Sequence, residues 1–164
     1  MNRIQKIFQD RTEKVIPFFT AGYPSKKDTA QMVLAAEKSG AAMVELGMPF
    51  SDPLADGPII QAASQKAIEN GVNISWILEV VTEIRRESEI PLALMGYINP
   101  IINYGIGEFI HDCKLAGVDG LIIPDLPPEE ATKLLQLAND AGICIILLVA
   151  PNTGNERIRK ISIR

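Results

Sequence analysis

Apolar residues along this chain follow two rhythms. Short, nearly unbroken apolar runs read as strands: Val15–Phe19, Ala41–Leu46, Pro91–Gly96, Leu121–Ile123 and Ile143–Val149. Their length, and the glycines and prolines around them, favour strands over buried helix segments. Between the runs, apolar residues recur three and four apart, the helical period. Ile4, Ile7 and Phe8 predict a short opening helix, and Met32, Ala35 and Ala36 mark one face of the next. A helix is predicted from Ile59 to Glu69, ended by Asn70-Gly71. Another starts near Asn73 or Ser75 and points Ile77, Val80, Val81 and Ile84 inward. Ile106, Phe109, Ile110 and Cys113 form the next face, then Ala131, Leu134, Leu135 and Ala138. A last helix begins between 152 and 156, with Ile158 and Ile161 inward. Ser25-Lys26-Lys27-Asp28 has the spacing of a capping box, so the Ser25 hydroxyl is expected to cap the second helix. Glu129 and Glu130 are expected in the first turn of theirs, where the helix dipole favours anions.

Three helix-to-strand junctions repeat: Ser39-Gly40-Ala41, Ala116-Gly117-Val118 and Ala141-Gly142-Ile143. Each places Gly where a helix ends in a left-handed residue, then enters an apolar strand directly. Strands that are apolar on both faces and alternate with helices form parallel sheets. Five strands in 164 residues is about 33 per unit, close to the ~31 of an eight-unit barrel of ~250 residues. The expected fold class is α/β: a (β/α)8 TIM barrel, incomplete here, with about five parallel strands, flanking helices and a short N-terminal helix. Residues 1–164 are expected to form a single partial barrel domain. A doubly wound open sheet competes. It is disfavoured because no Gly-rich dinucleotide loop follows the first strand, and Gly105-Ile106-Gly107 does not fit that fingerprint.

Composition narrows the function. A net charge of −4 argues against a nucleic-acid binder. Arg157, Arg159, Lys160 and Arg164 are interspersed, as on a solvated helix face. There is no apolar run of membrane-spanning length. The first eleven residues mix Arg3, Lys6, Asp10 and Arg11 with apolar positions, unlike a signal peptide. Cys113 and Cys144 are isolated, so reduced thiols and a cytoplasmic setting are expected, with no metal site. His111, the only histidine, falls off the apolar stripe of its helix and reads as a surface residue. Trp76 reads as a packing residue.

Candidate chemistry gathers where strands end. Glu45 stands at the end of the second strand, and the Pro- and Gly-punctuated loop from Gly47 to Pro58 brings Asp52 and Asp56 beside it. Tyr97, Asn99 and Asp125 follow the third and fourth strands. In parallel α/β folds, the C-terminal strand ends are where sites form. A carboxylate on a rigid strand end, with others on a neighbouring loop, suits proton transfer to and from a small substrate.

Four strings carry a resemblance. The run Glu45-Leu46-Gly47-Met48-Pro49-Phe50-Ser51-Asp52-Pro53-Leu54-Ala55-Asp56-Gly57-Pro58 resembles the signature of the tryptophan synthase alpha subunit family. So do Pro17-Phe18-Phe19-Thr20-Ala21-Gly22-Tyr23-Pro24, Met95-Gly96-Tyr97-Ile98-Asn99-Pro100 and Pro124-Asp125-Leu126-Pro127-Pro128-Glu129-Glu130, in the same order along the chain. The resemblance implies a cytoplasmic lyase of L-tryptophan biosynthesis. Its reaction is the retro-aldol cleavage of indole-3-glycerol phosphate to indole and glyceraldehyde 3-phosphate. It implies no cofactor and no metal in this chain, because pyridoxal phosphate belongs to the partner beta subunit. It also implies an α2β2 heterotetramer.

By that resemblance Glu45 is the acid/base serving indole C3 and the glycerol hydroxyl, with Val44 and Leu46 desolvating it. Asp56 accepts the indole N–H and stabilises charge developing on the ring. Phe18, Met95 and Ile122 line the indole pocket, and Tyr97 sits at its edge. Pro49, Asp52 and Pro53 belong to the loop facing the beta subunit, and Asn99, Pro100 and Asp125 lie toward that side. A full barrel needs eight strands. The chain is therefore expected to be a C-terminally truncated member, its last three strands and its phosphate-binding loops lying beyond Arg164. Two alternatives stand beside the lyase. One is an inactive fragment that keeps only beta-subunit docking. The other is a different phosphate-sugar barrel, such as an indole-glycerol-phosphate synthase or a ribulose-phosphate epimerase, against which the two loop acids argue.

Overall fold

The computed structural model describes residues 1–9 and 12–162. Asp10, Arg11, Ile163 and Arg164 lie outside the described residues, and with them one member of the basic group near the end. Strands and helices alternate. The order is α1 (Arg3–Ile7), β1 (Phe18–Thr20), α2 (Asp28–Lys38), β2 (Val44–Gly47), α3 (Pro58–Glu69), α4 (Ile74–Ile84) and β3 (Leu92–Met95). Then come α5 (Ile98–Tyr104), α6 (Ile106–Ala116), β4 (Gly120–Ile122), α7 (Thr132–Ala141), β5 (Cys144–Ile145) and α8 (Asn155–Ser162).

The five strands form one parallel sheet in the order β1-β2-β3-β4-β5. Each crossover therefore steps the same way. A doubly wound sheet would reverse direction at its switch point, so the order is that of consecutive barrel strands. Register makes two faces. Phe18, Glu45, Ala93, Gly120 and Cys144 stand side by side across the ladder, and Thr20, Gly47, Met95 and Ile122 form the next row on that face. The intervening positions Phe19, Leu46, Leu94, Leu121 and Ile145 face the helices and join the main core with Val33, Ile77, Val81, Ile101, Phe109 and Leu134. The inner face has its own smaller cluster of Ile4, Met43, Ala93 and Ile122. Ile4 reaches it from α1: a Cβ added at Gly120 would lie 2.6 Å from Ile4 Cδ1. A glycine in β4 is what lets α1 plug the floor of the sheet.

Several elements depart from the sequence expectation. α2 turns a different face inward: Thr29 and Val33 are buried, Met32 and Ala36 are half-buried and Ala35 is exposed. Ser25 does not cap α2. Its hydroxyl donates to the Asp28 carboxylate at 2.6 Å, while its carbonyl accepts the Asp28 N–H in a turn ahead of the helix. Glu129 and Glu130 lie in a turn before α7, which starts only at Thr132, and Glu129 pairs with Arg157. β5 pairs only through Cys144–Ile145, followed by Ile146 N–H to the Leu121 carbonyl; Leu148 and Val149 are exposed. An apolar run becomes a long strand only where a neighbour offers a ladder, and β4 ends at Ile122. α8 buries no residue, and Ile158 is exposed rather than inward. α5 was not expected at all.

α1 buries Ile4 and half-buries Ile7, but Phe8 lies past its end and is exposed; α4 and α6 match their patterns. Ile77, Val80, Val81 and Ile84 are buried on α4, which Asn73 caps by accepting the Trp76 N–H at 2.9 Å. Phe109, Ile110 and Cys113 are buried on α6, and His111 is exposed. Gly117 and Gly142 end their helices in the left-handed region, at φ of 90° and 78°. Trp76 is half-buried, with the Lys26 ammonium 4.7 Å from its ring. Among the described residues, no helix is long and apolar enough to cross a membrane.

Candidate active site

Strand alternation places Glu45. It lies between Phe18 of β1 and Ala93 of β3, on the face away from the helices. Small residues surround it there: Ala93 beside it, Gly47 two residues on, Gly120 one strand further. Among the described residues no hydrogen bond or ion pair reaches its carboxylate. Burial alone pushes its pKa above the ordinary glutamate range. The source of that burial differs from the expectation. Val44 and Leu46 point to the helix side, so the walls around Glu45 come from cross-strand neighbours, not from its neighbours in sequence.

A cleft opens at the C-terminal ends of β1–β3. Phe18, Gly47, Met48, Asp56, Ile60, Ser64, Met95, Gly96, Tyr97 and Pro124 line it. The structure thus brings together Phe18, Met95, Tyr97 and Asp56. Glu45 lies one step deeper on the same inner face and is not part of the cleft wall. Ile122 is buried beside Met95 on the neighbouring strand, in the inner cluster against which Met95 packs, and is not part of the cleft wall. Met48, Ile60, Ser64 and Pro124 were not expected in the wall. Only their position after strand ends, or on the first turns of α3, could have suggested them.

Glycine makes the cleft possible. A Cβ at Gly47 would lie 2.5 Å from Phe18 Cζ, and one at Gly96 would lie 2.7 Å from Met48 Cε. Gly47→Ala is therefore expected to push the Phe18 ring into the cleft, raising the KM of any aromatic substrate about tenfold while the fold survives. Steady-state kinetics with a circular-dichroism control would check it. An unchanged KM would show that Phe18 does not border the substrate.

Asp56 is held by one side chain. The Tyr97 hydroxyl accepts the Ala55 N–H at 2.9 Å and donates to the Asp56 carboxylate at 3.1 Å. Burial raises the Tyr97 pKa, so the phenol remains a donor at neutral pH. The loop around Asp56 is tied locally: Leu54 N–H to the Asp52 carbonyl, Asp56 N–H to the Pro53 carbonyl, and the Gln61 side chain to the Asp56 carbonyl. Pro58 opens α3 at the position where a missing N–H costs nothing.

The residues expected to face a partner do not enter the cleft. Asp52 is exposed and accepts from the Ser51 hydroxyl at 2.7 Å; Pro49 and Pro53 are on the same loop. Leu54, at the loop's tip, is 92% exposed, and Ile59 is 82% exposed. Asn99 lies in the first turn of α5. Asp125 is exposed, but its carboxylate is engaged within the chain, accepting the Ile98 N–H at 3.0 and 3.3 Å. No cluster of His, Cys, Asp and Glu suited to a metal ion occurs among the described residues.

Comparison with known proteins bears on this arrangement. The family model described as tryptophan synthase alpha chain matches residues 4–164. The tryptophan synthase alpha chain of Petrotoga mobilis is 48% identical over 162 residues, covering 99% of this chain and 62% of that protein. The crystal structure of tryptophan synthase subunit alpha from Legionella pneumophila superposes with a TM-score of 0.94 at 40% identity, over 98% of this chain and 63% of that one. A chain from the tryptophan synthase α2β2 complex of Pyrococcus furiosus superposes with a TM-score of 0.86 at 41% identity, over 90% and 63% respectively. The chain spans about three-fifths of the length of the curated relatives it matches.

Proposed function

Because the chain belongs to the tryptophan synthase alpha chain family, we propose that it supplies the acid/base residues that cleave indole-3-glycerol phosphate to indole and glyceraldehyde 3-phosphate. The observation that carries this reading is Glu45, a half-buried carboxylate without a partner among the described residues, one register step below a cleft that Asp56 borders.

The cleavage needs a proton on indole C3, a place for the indole N–H as positive charge develops on the ring, and removal of the carbinol proton as the aldehyde forms. Glu45, protonated, gives its proton to C3. The resulting carboxylate takes the carbinol proton as the C–C bond breaks, so the residue ends as it began. Two transfers by one group require a pKa near the working pH, and burial moves Glu45 that way. Asp56 accepts the indole N–H and balances the ring's charge. It does so best with its rotamer held, which the Tyr97 hydroxyl does. Phe18 and Met95 provide the apolar walls of the indole site and Tyr97 its edge; Ile122 supports Met95 from the neighbouring strand. No step calls for a metal or cofactor here, and pyridoxal phosphate is assigned to the beta subunit.

The beta subunit is the proposed partner, in an α2β2 assembly, docked on the loop carrying Pro49, Asp52 and Pro53 with Asn99 nearby. The exposed Leu54 and Ile59 on that side suit docking. The 164 residues are proposed to act as one partial barrel domain in the cytosol. The cysteines fit a reducing compartment, Cys113 buried and Cys144 half-buried, both as free thiols. The test is indole release from indole-3-glycerol phosphate by the chain mixed with beta subunit. Equal amounts of indole and glyceraldehyde 3-phosphate are expected, without added metal. A folded chain that binds the beta subunit and releases no indole would leave docking as the function.

A further inference from the structure

α5 begins without a cap of its own. Its N-cap residue, Tyr97, has an aromatic side chain that makes no capping bond to the helix. A helix start leaves backbone amides unsatisfied and carries partial positive charge. Asp125, from the turn after β4, fills that role from a distance: both its oxygens reach the Ile98 N–H. The bond fixes the peptide immediately after Tyr97. Tyr97 itself is extended, at φ −90° and ψ 155°, which carries its ring toward the 48–58 loop. There the Phe50 ring packs on it at 5.5 Å between centroids, and its hydroxyl joins the Ala55 N–H to the Asp56 carboxylate. Among the described residues, no other side chain bonds that carboxylate.

We propose that Asp125 is a positioning residue, acting through the start of α5 and the Tyr97 hydroxyl to hold the Asp56 carboxylate in its working rotamer. This rests on the reading of Asp56 given above, and it adds to the partner-side placement that the family resemblance implies for Asp125. The geometry is directional. Asp125 does not line the cleft; it acts on Tyr97 through the Ile98 N–H and through its own charge nearby, so its removal reaches Asp56 through Tyr97. Tyr97 touches Asp56 directly, so it lies downstream. The two residues therefore share one route to Asp56, and their effects do not add.

Two measurements on Asp125→Ala, Asp125→Asn, Tyr97→Phe and the double variant test the proposal. The first is the backbone amide spectrum of the whole chain, which needs no turnover. The Ala55 N–H, bonded to the Tyr97 hydroxyl, is expected to shift in Asp125→Ala as well as in Tyr97→Phe. Asp125→Asn, which keeps an acceptor oxygen for Ile98, is expected to leave it near the parent position. The second is lyase kinetics with beta subunit present. Asp125→Ala and Tyr97→Phe are each expected to lower kcat about 10- to 100-fold, with KM changed less than about threefold. The double variant should match Tyr97→Phe alone, and Asp125→Asn should recover most of the loss. An Ala55 amide unmoved by Asp125→Ala, or losses that multiply in the double variant, would overturn the proposal. If the parent chain binds beta subunit but releases no indole, the lyase reading fails, while the Ala55 amide still decides the relay.

Discussion

Replacing Glu45 by Gln is expected to lower indole release about 10³- to 10⁴-fold while leaving the protein at least as stable as the parent. The two halves of that expectation come from one fact. Glu45 stands on the inner face of β2 with no partner for its charge among the described residues. Gln keeps the shape but has no proton to give to C3 and no basic oxygen for the carbinol. Loss of one positioned acid/base group of this kind accounts for a factor of that size. Asp56→Asn is expected to cost less, since the amide oxygen still accepts the indole N–H and only the charge is lost. A Glu45→Gln variant within tenfold of the parent would remove Glu45 from the chemistry.

The stability half has a sign that can be worked out. Burial raises the Glu45 pKa in the folded protein above its value in the unfolded chain. The folded state therefore holds this proton more tightly. Its contribution to stability is fully present below the unfolded pKa and is lost as pH rises through the folded pKa. Gln does not titrate. The Tm of Glu45→Gln minus that of the parent should be flat in acid, rise through the window above the ordinary glutamate range, and level off beyond it. The alkaline limb of the parent's kcat profile should lie in the same window, because the first transfer needs Glu45 protonated. A Tm difference independent of pH would show that the carboxylate is solvated in the folded protein.

How much of this was readable in the sequence depended on whether the signal was local. The strand order, the αL glycines at 117 and 142, and the buried stripes of α4 and α6 are local patterns, and the structure has them. The loop after Glu45 was legible because Gly47, Pro49, Pro53, Gly57 and Pro58 cannot make a helix interior or a central strand. α5 was missed because Asn99-Pro100 reads as a breaker. Pro100 is the third residue of that helix, where no intrahelical N–H bond is lost. The bond from Asp125 to the start of α5 had no local signal, because a cap usually precedes its helix and this one comes 27 residues after the amide it serves. The desolvation of Glu45 was expected from adjacent residues and comes from adjacent strands. In each case the missing information was which distant segment lies alongside. Short-range periodicity does not contain it.

The largest structural loss is expected at a residue with no local signal in the sequence. Asp119 sits at the start of β4, on the side of the sheet opposite the cleft, with its side chain 4% exposed. Its carboxylate accepts from Arg85 at 2.7 Å, from Arg3 at 3.0 Å and from the Leu92 N–H at 2.9 Å. Its carbonyl accepts from the Asn2 side chain and from the Cys144 N–H. One residue thus ties together α1, α4's end, β3 and β5. Arg85 is 10% exposed at the side chain, and its other nitrogens are spent on the carbonyls of Gly117, Ser88 and Ile90. Burial pulls its pKa down and Asp119 offsets part of that. Asp119→Ala would leave the guanidinium buried with three carbonyls and no carboxylate bonded to it, and the Leu92 amide without its acceptor. Removing one partner of a buried pair costs about 3–5 kcal/mol, a large share of the ~5–15 kcal/mol that a domain possesses. Glu89 also pairs with Arg3 but is exposed, so Glu89→Ala should change little and lose its effect in salt. Urea titrations of the two variants give the contrast directly. Equal losses would mean that the Asp119 pair is solvated and that the floor of the sheet is held by Ile4 against Gly120 alone.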